Sequence, residues 1–236
     1  MSKRPTVAIG VRVSDREAGV RSQYERWLRG RSPVALYVRW YLRHGGARYA
    51  QDLFDALSPS LFERVLDVGC ATGFYLKWAF DHGYGSKMLT GVDLSPVMLE
   101  EASARLTPAR RAGVDVHLVE GSATTLPFSD ASFDTLVCSG VVKYLDDADL
   151  DRFLQEAMRV LEPGGRIALA EFGRLVPLQA AITPPERFGV PTDHLRTGRE
   201  LCEALSAHGF TGVRALSLSR LRRLPFTYEG AVGTRE

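Results

Sequence analysis

Two aspartates and two glycines in this chain are spaced for chemistry on a nucleotide-like ligand. In Val65-Leu66-Asp67-Val68-Gly69-Cys70-Ala71-Thr72-Gly73, the apolar run from Arg64 to Val68 has the character of a buried strand. Gly69 and Gly73 then let the backbone turn tightly into a helix expected from Phe74 to Phe80. With no side chain at the glycines the backbone can press against a ligand, and the helix start offers unpaired N–H groups. Twenty residues beyond Gly73, Asp93 closes a second apolar run, Met88 to Val92. An acid at the C-terminal tip of such a strand can accept both hydroxyls of a ribose. The spacing argues against a dinucleotide fingerprint, because G-x-G-x-x-G needs glycine where Ala71 and Phe74 stand.

The Asp67-to-Gly73 segment resembles the first motif of class I S-adenosylmethionine-dependent methyltransferases, an acid, any residue, then glycines at alternate positions. Ala71 replaces the middle glycine. Three more stretches extend the resemblance over roughly residues 61–172: Asp93 with the helix start Ser95-Pro96, Glu120 to Asp134 leading into Thr135 to Cys138, and Val160 to Leu169. The third stretch is similar to the adenine loop and fourth strand of the small-molecule, type 11-like branch. The resemblance implies that Asp67 organises the methionine ammonium and that Gly69, Cys70, Ala71 and Gly73 give backbone contact. It places Asp93 at the ribose, Leu94, Ser122, Ala123 and Thr124 around the adenine, and Ser139 near the methionine end. The family usually carries an aspartate where this chain has Ser122, and a hydroxyl accepts the adenine amino hydrogen bond more weakly than a carboxylate.

Two residues stand out as candidates for acceptor chemistry. Tyr144 lies in Ser139-Gly140-Val141-Val142-Lys143-Tyr144-Leu145, at the C-terminal end of the fourth strand, where open parallel sheets bind their ligands. The resembling family often has histidines at Lys143 and Tyr144. His194, beside Asp193 in a proline-rich segment, is the other candidate, a general base should the acceptor need deprotonation. The Asn/Asp-Pro-Pro-aromatic and Pro-Cys signatures of nucleic-acid base methyltransferases are absent after the fourth strand. With only four lysines and no RNA module, nucleic acid is the weaker partner. The three cysteines Cys70, Cys138 and Cys202 form no C-x-x-C pair, so neither a disulfide framework nor a metal site is indicated.

The elements that must hold these residues alternate: strands at Arg64 to Val68, Met88 to Asp93, Val114 to Glu120 and Phe133 to Cys138, with helices at Phe74 to His82 and Ser95 to Leu106 between them. Such alternation implies an α/β fold with a parallel sheet covered on both faces. The resemblance makes it a Rossmann-like, doubly wound, seven-stranded sheet with an N-terminal helical lid and an antiparallel final hairpin, expected from Val213 to Ser219 and Phe226 to Val232. Leu150, Phe153, Leu154, Ala157, Met158 and Leu161 mark an amphipathic helix, and Thr197-Gly198-Arg199-Glu200 a capping box for another ending near His208-Gly209. Residues 1–22 show no sustained period and read as an irregular or disordered arm. Residues 23–60 read as the lid, with helices starting at Ser32-Pro33 and spanning Ala50 to Leu57, and 61–236 as the methyltransferase domain, with a substrate-loop segment at 172–196. Tyr24, Trp27, Tyr37, Trp40 and Tyr41 crowd the lid. Trp40 and Tyr37 are expected to pack inward, whereas Tyr24 and Trp27 are as well suited to the site.

The first fifty residues hold eleven basic against three acidic side chains, although the whole chain of 236 residues is only +2. Arginine is abundant throughout, so a solvated arm explains the bias better than a polyanion site. Peripheral membrane contact through the aromatic, basic helix and homo-oligomer formation stay open. The chain has no run of eighteen apolar residues and no N-terminal apolar region, which points to a cytoplasmic protein. The function expected is methyl transfer from S-adenosyl-L-methionine to a nucleophilic atom of a small or medium-sized metabolite. The alternatives are an RNA or protein methyltransferase, or a degenerate module that only binds the cofactor.

Overall fold

A computed structural model describes residues 14–40, 47–57, 64–172, 194–217 and 228–236. Three helices come first, α1 (Asp15–Arg29), α2 (Pro33–Trp40) and α3 (Ala47–Ala56). The alternating core follows as β1 (Arg64–Val68), α4 (Phe74–Asp81), β2 (Met88–Asp93), α5 (Pro96–Arg105), α6 (Thr107–Arg111), β3 (Asp115–Glu120), β4 (Phe133–Ser139), α7 (Asp147–Val160) and β5 (Leu161–Phe172). Then come α8 (Gly198–Ala207), β6 (Phe210–Ser217) and β7 (Tyr228–Arg235).

The seven strands form one sheet in the order β3-β2-β1-β4-β5-β7-β6. Pairing among β1 to β5 is parallel, and β7 runs antiparallel to both β5 and β6, giving the expected doubly wound sheet and final hairpin. The order reverses at β1, whose neighbours are β2 and β4. At such a switch point the loops leaving adjacent strands diverge and open a crevice at their C-terminal ends.

Side chains alternate across the sheet, as a period of two requires. Val65, Val137, Ala168 and Ala170 face one apolar layer with Leu53, Phe54, Leu76 and Trp78 of α3 and α4. Leu66, Val68, Leu136, Cys138, Ile167 and Leu169 face the other, with Phe153 and Leu154 of α7 and Leu201 and Leu205 of α8. The capping box at Thr197 and Glu200 is present, each residue bonding the other's backbone N–H.

Two expectations are corrected. Residues 14–22 are not an irregular arm. They open α1, which carries a full capping box from Ser14 to Glu17. The helix has little apolar periodicity and buries only Leu28, so the periodic signal is missing, and polar contacts to the sheet edge hold it instead. Trp40 does not pack inward, being 57% exposed on α2. Residues 1–13, Tyr41, Asp193, Phe226 and residues 173–193 lie outside the described residues, as does the side chain of Tyr37.

Candidate functional site

The loop after β1 is tied to β2 through its backbone. Gly69 and Cys70 N–H both donate to Val92 O, at 2.8 and 3.1 Å, and Gly73 N–H donates to Cys70 O at 2.8 Å. Gly69 and Gly73 both sit at φ +73°, and a Cβ on Gly69 would come within 2.2 Å of Val141. Only glycine fits there. Ala71, in place of the family's middle glycine, also takes a left-handed backbone, φ 44°. Its N–H donates to Asp93 Oδ2 at 2.9 Å, and Ser95 N–H donates to Asp93 Oδ1 at 2.9 Å. Burial raises the Asp93 carboxyl to about 6 against the pull of these backbone donors.

Asp67, on the same face of β1 as Val65, is 1% exposed, and its Oδ2 has no hydrogen-bond partner among the described residues. Burial and then the nearby charge of Asp93 push its carboxyl up to about 8. An isolated buried carboxylate is costly, so the group keeps its proton until a cation or donor reaches it. Burial likewise drives the Cys70 thiol well above its usual range, which leaves it a small apolar wall and not a nucleophile.

The C-terminal ends of β1, β2 and β4 open into a cavity of about 180 Å³. Among the sequence-selected residues, Gly69, Cys70, Ala71, Asp93, Leu94, Ala123, Ser139 and Tyr144 line it. Asp67, Gly73, Ser122, Thr124 and His194 do not. Gly73 begins α4 behind the loop, its Cβ position 3.0 Å from the Ala102 Cβ. Ser122 is buried behind the wall, donating to Glu17 Oε1, accepting the Thr124 N–H at 3.1 Å and lying 2.9 Å from Thr124 Oγ1. His194 is half-buried outside the cavity and gives its carbonyl to Arg196.

One wall comes from α1, of which sequence reasoning offered only Tyr24 and Trp27 to the site; Tyr24 lines it and Trp27 does not. Arg16, Glu17, Val20, Arg21 and Tyr24 line the cavity at helical spacing. Arg16 bonds Asp146 at 2.7 Å, Arg21 bonds Glu120 at 2.8 Å, and the Tyr24 and Tyr144 hydroxyls meet at 2.9 Å. Trp27 stands edge-on to Tyr24, behind it. The signal for this wall was Ser14-x-x-Glu17, the same capping pattern that marks α8. Tyr75, in the first turn of α4, was also missed. It adds a hydroxyl 3.0 Å from Ser139 Oγ.

The loop after β4 is built on buried polar groups. Lys143 Nζ lies 3.1 Å from Glu171 Oε1, the two side chains 1% and 0% exposed, and also bonds Gly140 O. Glu171 Oε2 accepts the Lys143 N–H at 3.0 Å. From the other side Arg196 donates to Val142 O at 3.1 Å and Leu145 O at 3.0 Å. Tyr144 is thereby fixed over the cavity. Burial and then the Tyr24 hydroxyl push its phenol well above the usual value, so it is a neutral hydrogen-bonding group.

Residues 65–165, which carry this loop, both aspartates and the β4 segment, match a family model described as a methyltransferase domain. That stretch of the chain is thus similar to a methyltransferase domain. It is 34% identical over 183 residues to the O-methyltransferase resE of Aspergillus sclerotiorum, covering 74% of this chain and 64% of that one. It is 35% identical over 131 residues to the ubiquinone/menaquinone biosynthesis C-methyltransferase UbiE of Roseobacter denitrificans, covering 54% and 49%. The chain thus spans from about half to just under two thirds of the length of these curated relatives. Among solved structures, a Thermotoga maritima methyltransferase described as a possible histamine N-methyltransferase superposes with a TM-score of 0.63 at 24% identity, covering 91% of this chain and 99% of that one. The likeness in fold agrees with the seven-stranded order and the β1 switch point. Among the described residues no helix is long and apolar enough to cross a membrane, and no group of side chains could hold a metal ion.

Proposed function

We propose that this protein transfers the methyl group of S-adenosyl-L-methionine to a nucleophilic atom of a small or medium-sized acceptor. The observation that carries the reading is that the Gly69–Thr72 turn and Asp93 line one cavity, with the Asp67 carboxyl buried two residues before Gly69 and its Oδ2 unpartnered among the described residues. The residues fit the cofactor. Asp67, buried two residues before Gly69, supplies a counter-charge for an ammonium group. Gly69 admits close approach, and the two Asp93 oxygens, each holding one backbone donor, keep lone pairs for a ribose diol. Leu94 and Ala123 offer apolar contact to a purine, with Ser122 and Thr124 behind them, and Ser139 with Tyr75 marks the methionine end.

The bound cofactor supplies an activated methyl carbon open to in-line attack. The chain's own part is to align and dry that approach, and Tyr24, Tyr75 and Tyr144 with Phe74 form the acceptor side of the cavity. Tyr144, neutral and bonded to Tyr24, orients an acceptor by hydrogen bonding. His194, outside the cavity, takes no part in this reading.

Support for a small acceptor comes from the curated relatives and from the charges on α1. Arg16 and Arg21 are spent on Asp146 and Glu120, which withdraws them from a polyanion. Calorimetric titration with S-adenosylmethionine and S-adenosylhomocysteine tests the reading. Micromolar binding of both is expected, and absence of binding to a folded sample refutes it.

A further inference from the structure

Ser122 leaves an unanswered question about the purine. A hydroxyl at this position would have to accept the 6-amino group, yet the Ser122 hydroxyl is 1% exposed and turned away. Its proton goes to Glu17 Oε1 and it accepts the Thr124 N–H. The carboxylate it meets does line the cavity, on the same wall as Gly121, Ala123 and Leu94.

We infer that Glu17, delivered from α1, is the specificity-determining residue for the purine, accepting the 6-amino hydrogen bond in place of an acid on the β3–β4 loop. The inference rests on the cofactor reading above. Glu17 has the needed capacity. Its Oε2 accepts both the Ser14 N–H, at 2.8 Å, and the Ser14 hydroxyl, at 2.9 Å. Among the described residues its Oε1 accepts only from Ser122, which leaves it capacity for one more donor. Five bonds hold the carboxylate's neighbourhood rigid. Ser122 and Ser14 clamp the two oxygens, Thr124 clamps Ser122, and the Arg21–Glu120 pair one turn along pins α1 to the end of β3. A carboxylate so fixed accepts from a 6-amino group and repels a 6-carbonyl, since both would be acceptors. It also makes α1 part of the cofactor site instead of an appendage.

The test compares S-adenosylhomocysteine with its 6-oxo counterpart, S-inosylhomocysteine, by calorimetry on the full chain. Wild type is expected to prefer the adenosyl compound by at least about tenfold, the range of a hydrogen bond to a charged group. Glu17→Gln keeps the capping box, because glutamine serves at that position, and adds an amide donor for a 6-oxo group. Its preference is expected to fall to within about threefold, through gained affinity for the 6-oxo compound as well as lost affinity for the adenosyl one. Glu17→Ala should lose affinity for the adenosyl compound and leave the 6-oxo compound little changed, with circular dichroism confirming that the fold persists. An unchanged wild-type ratio in Glu17→Gln, with both compounds bound, overturns the role of Glu17 while the cofactor reading stands. If wild type binds neither compound, the cofactor reading fails and this inference with it.

Discussion

Binding of a ligand that carries an ammonium group should expel a proton from Asp67. With its carboxyl raised to about 8, Asp67 in the free protein is protonated at pH 7 to roughly 0.9 of a site. A cation brought against it favours the carboxylate. If that lowers its pKa below about 5, nearly the whole proton, roughly 0.9 per site at pH 7, is released on binding. Affinity should then rise with pH, by close to tenfold between pH 6 and pH 7. The assay is titration with S-adenosylhomocysteine at pH 7 in buffers of different ionisation enthalpy, where the slope of apparent enthalpy counts protons. Asp67→Asn cannot release the proton, and 5′-methylthioadenosine, which lacks the amino-acid portion, should release none from Asp67 in the wild type. Asp93, raised to about 6, titrates in both proteins, so the wild-type minus variant difference isolates Asp67. Proton release that is the same in wild type and Asp67→Asn would refute the placement of the ammonium at this carboxyl.

Further outcomes follow from the same geometry. A carboxyl raised in the folded state binds its proton more tightly there than in the unfolded chain, so stability is present below about pH 4 and lost as pH rises to about 8, by at most ~1.4 kcal/mol per pH unit. Urea unfolding of the ligand-free protein at pH 5 and pH 7.5 should show this loss in wild type and much less of it in Asp67→Asn. Ala71→Gly relieves a left-handed backbone and should raise stability by about 1 kcal/mol or less, since glycine also gains freedom in the unfolded chain. A lowered urea midpoint would contradict that. Lys143→Met strands Glu171 in the core and should cost about 3–5 kcal/mol, with Lys143→Met/Glu171→Leu recovering most of it. Additive losses in the double variant would rule out the pair as the cause.

The strand, glycine loop and helix around Asp67 were legible because each step rests on local chemistry. An apolar strand, obligatory glycines and an acid at a strand tip are all written within a few residues. The hairpin was legible to within three residues at each stated end among the described residues, and α8 through its capping box. What escaped was long-range and polar. Glu17 meets Ser122 across 105 positions, and Arg16 meets Asp146 across 130. Neither pairing leaves a periodic mark, because α1 is fastened by hydrogen bonds and ion pairs where a buried stripe would normally serve. Arg196 was passed over for the same reason. In sequence it is one arginine among many, yet it is 8% exposed and spans three carbonyls and Asp147. Tyr75 lay inside a correctly placed helix, but its direction toward Ser139 depends on how α4 sits over β4. The small helix α6 also went unread, being a single turn begun by Thr107-Pro108.

The wall that α1 builds has a kinetic consequence. A ligand seated between Glu17, Asp93 and Ala71 is covered by a helix whose ties to the sheet edge include two ion pairs and two hydroxyl contacts. Release must wait for those ties to open, so residence time should reflect the helix's own opening rate as much as the ligand's contacts. Ion pairs are screened by salt, whereas hydroxyl bonds are far less affected. Raising the ionic strength should therefore speed both entry and departure while changing the equilibrium affinity much less, a behaviour opposite to that of a protein whose charges steer its ligand in from solution.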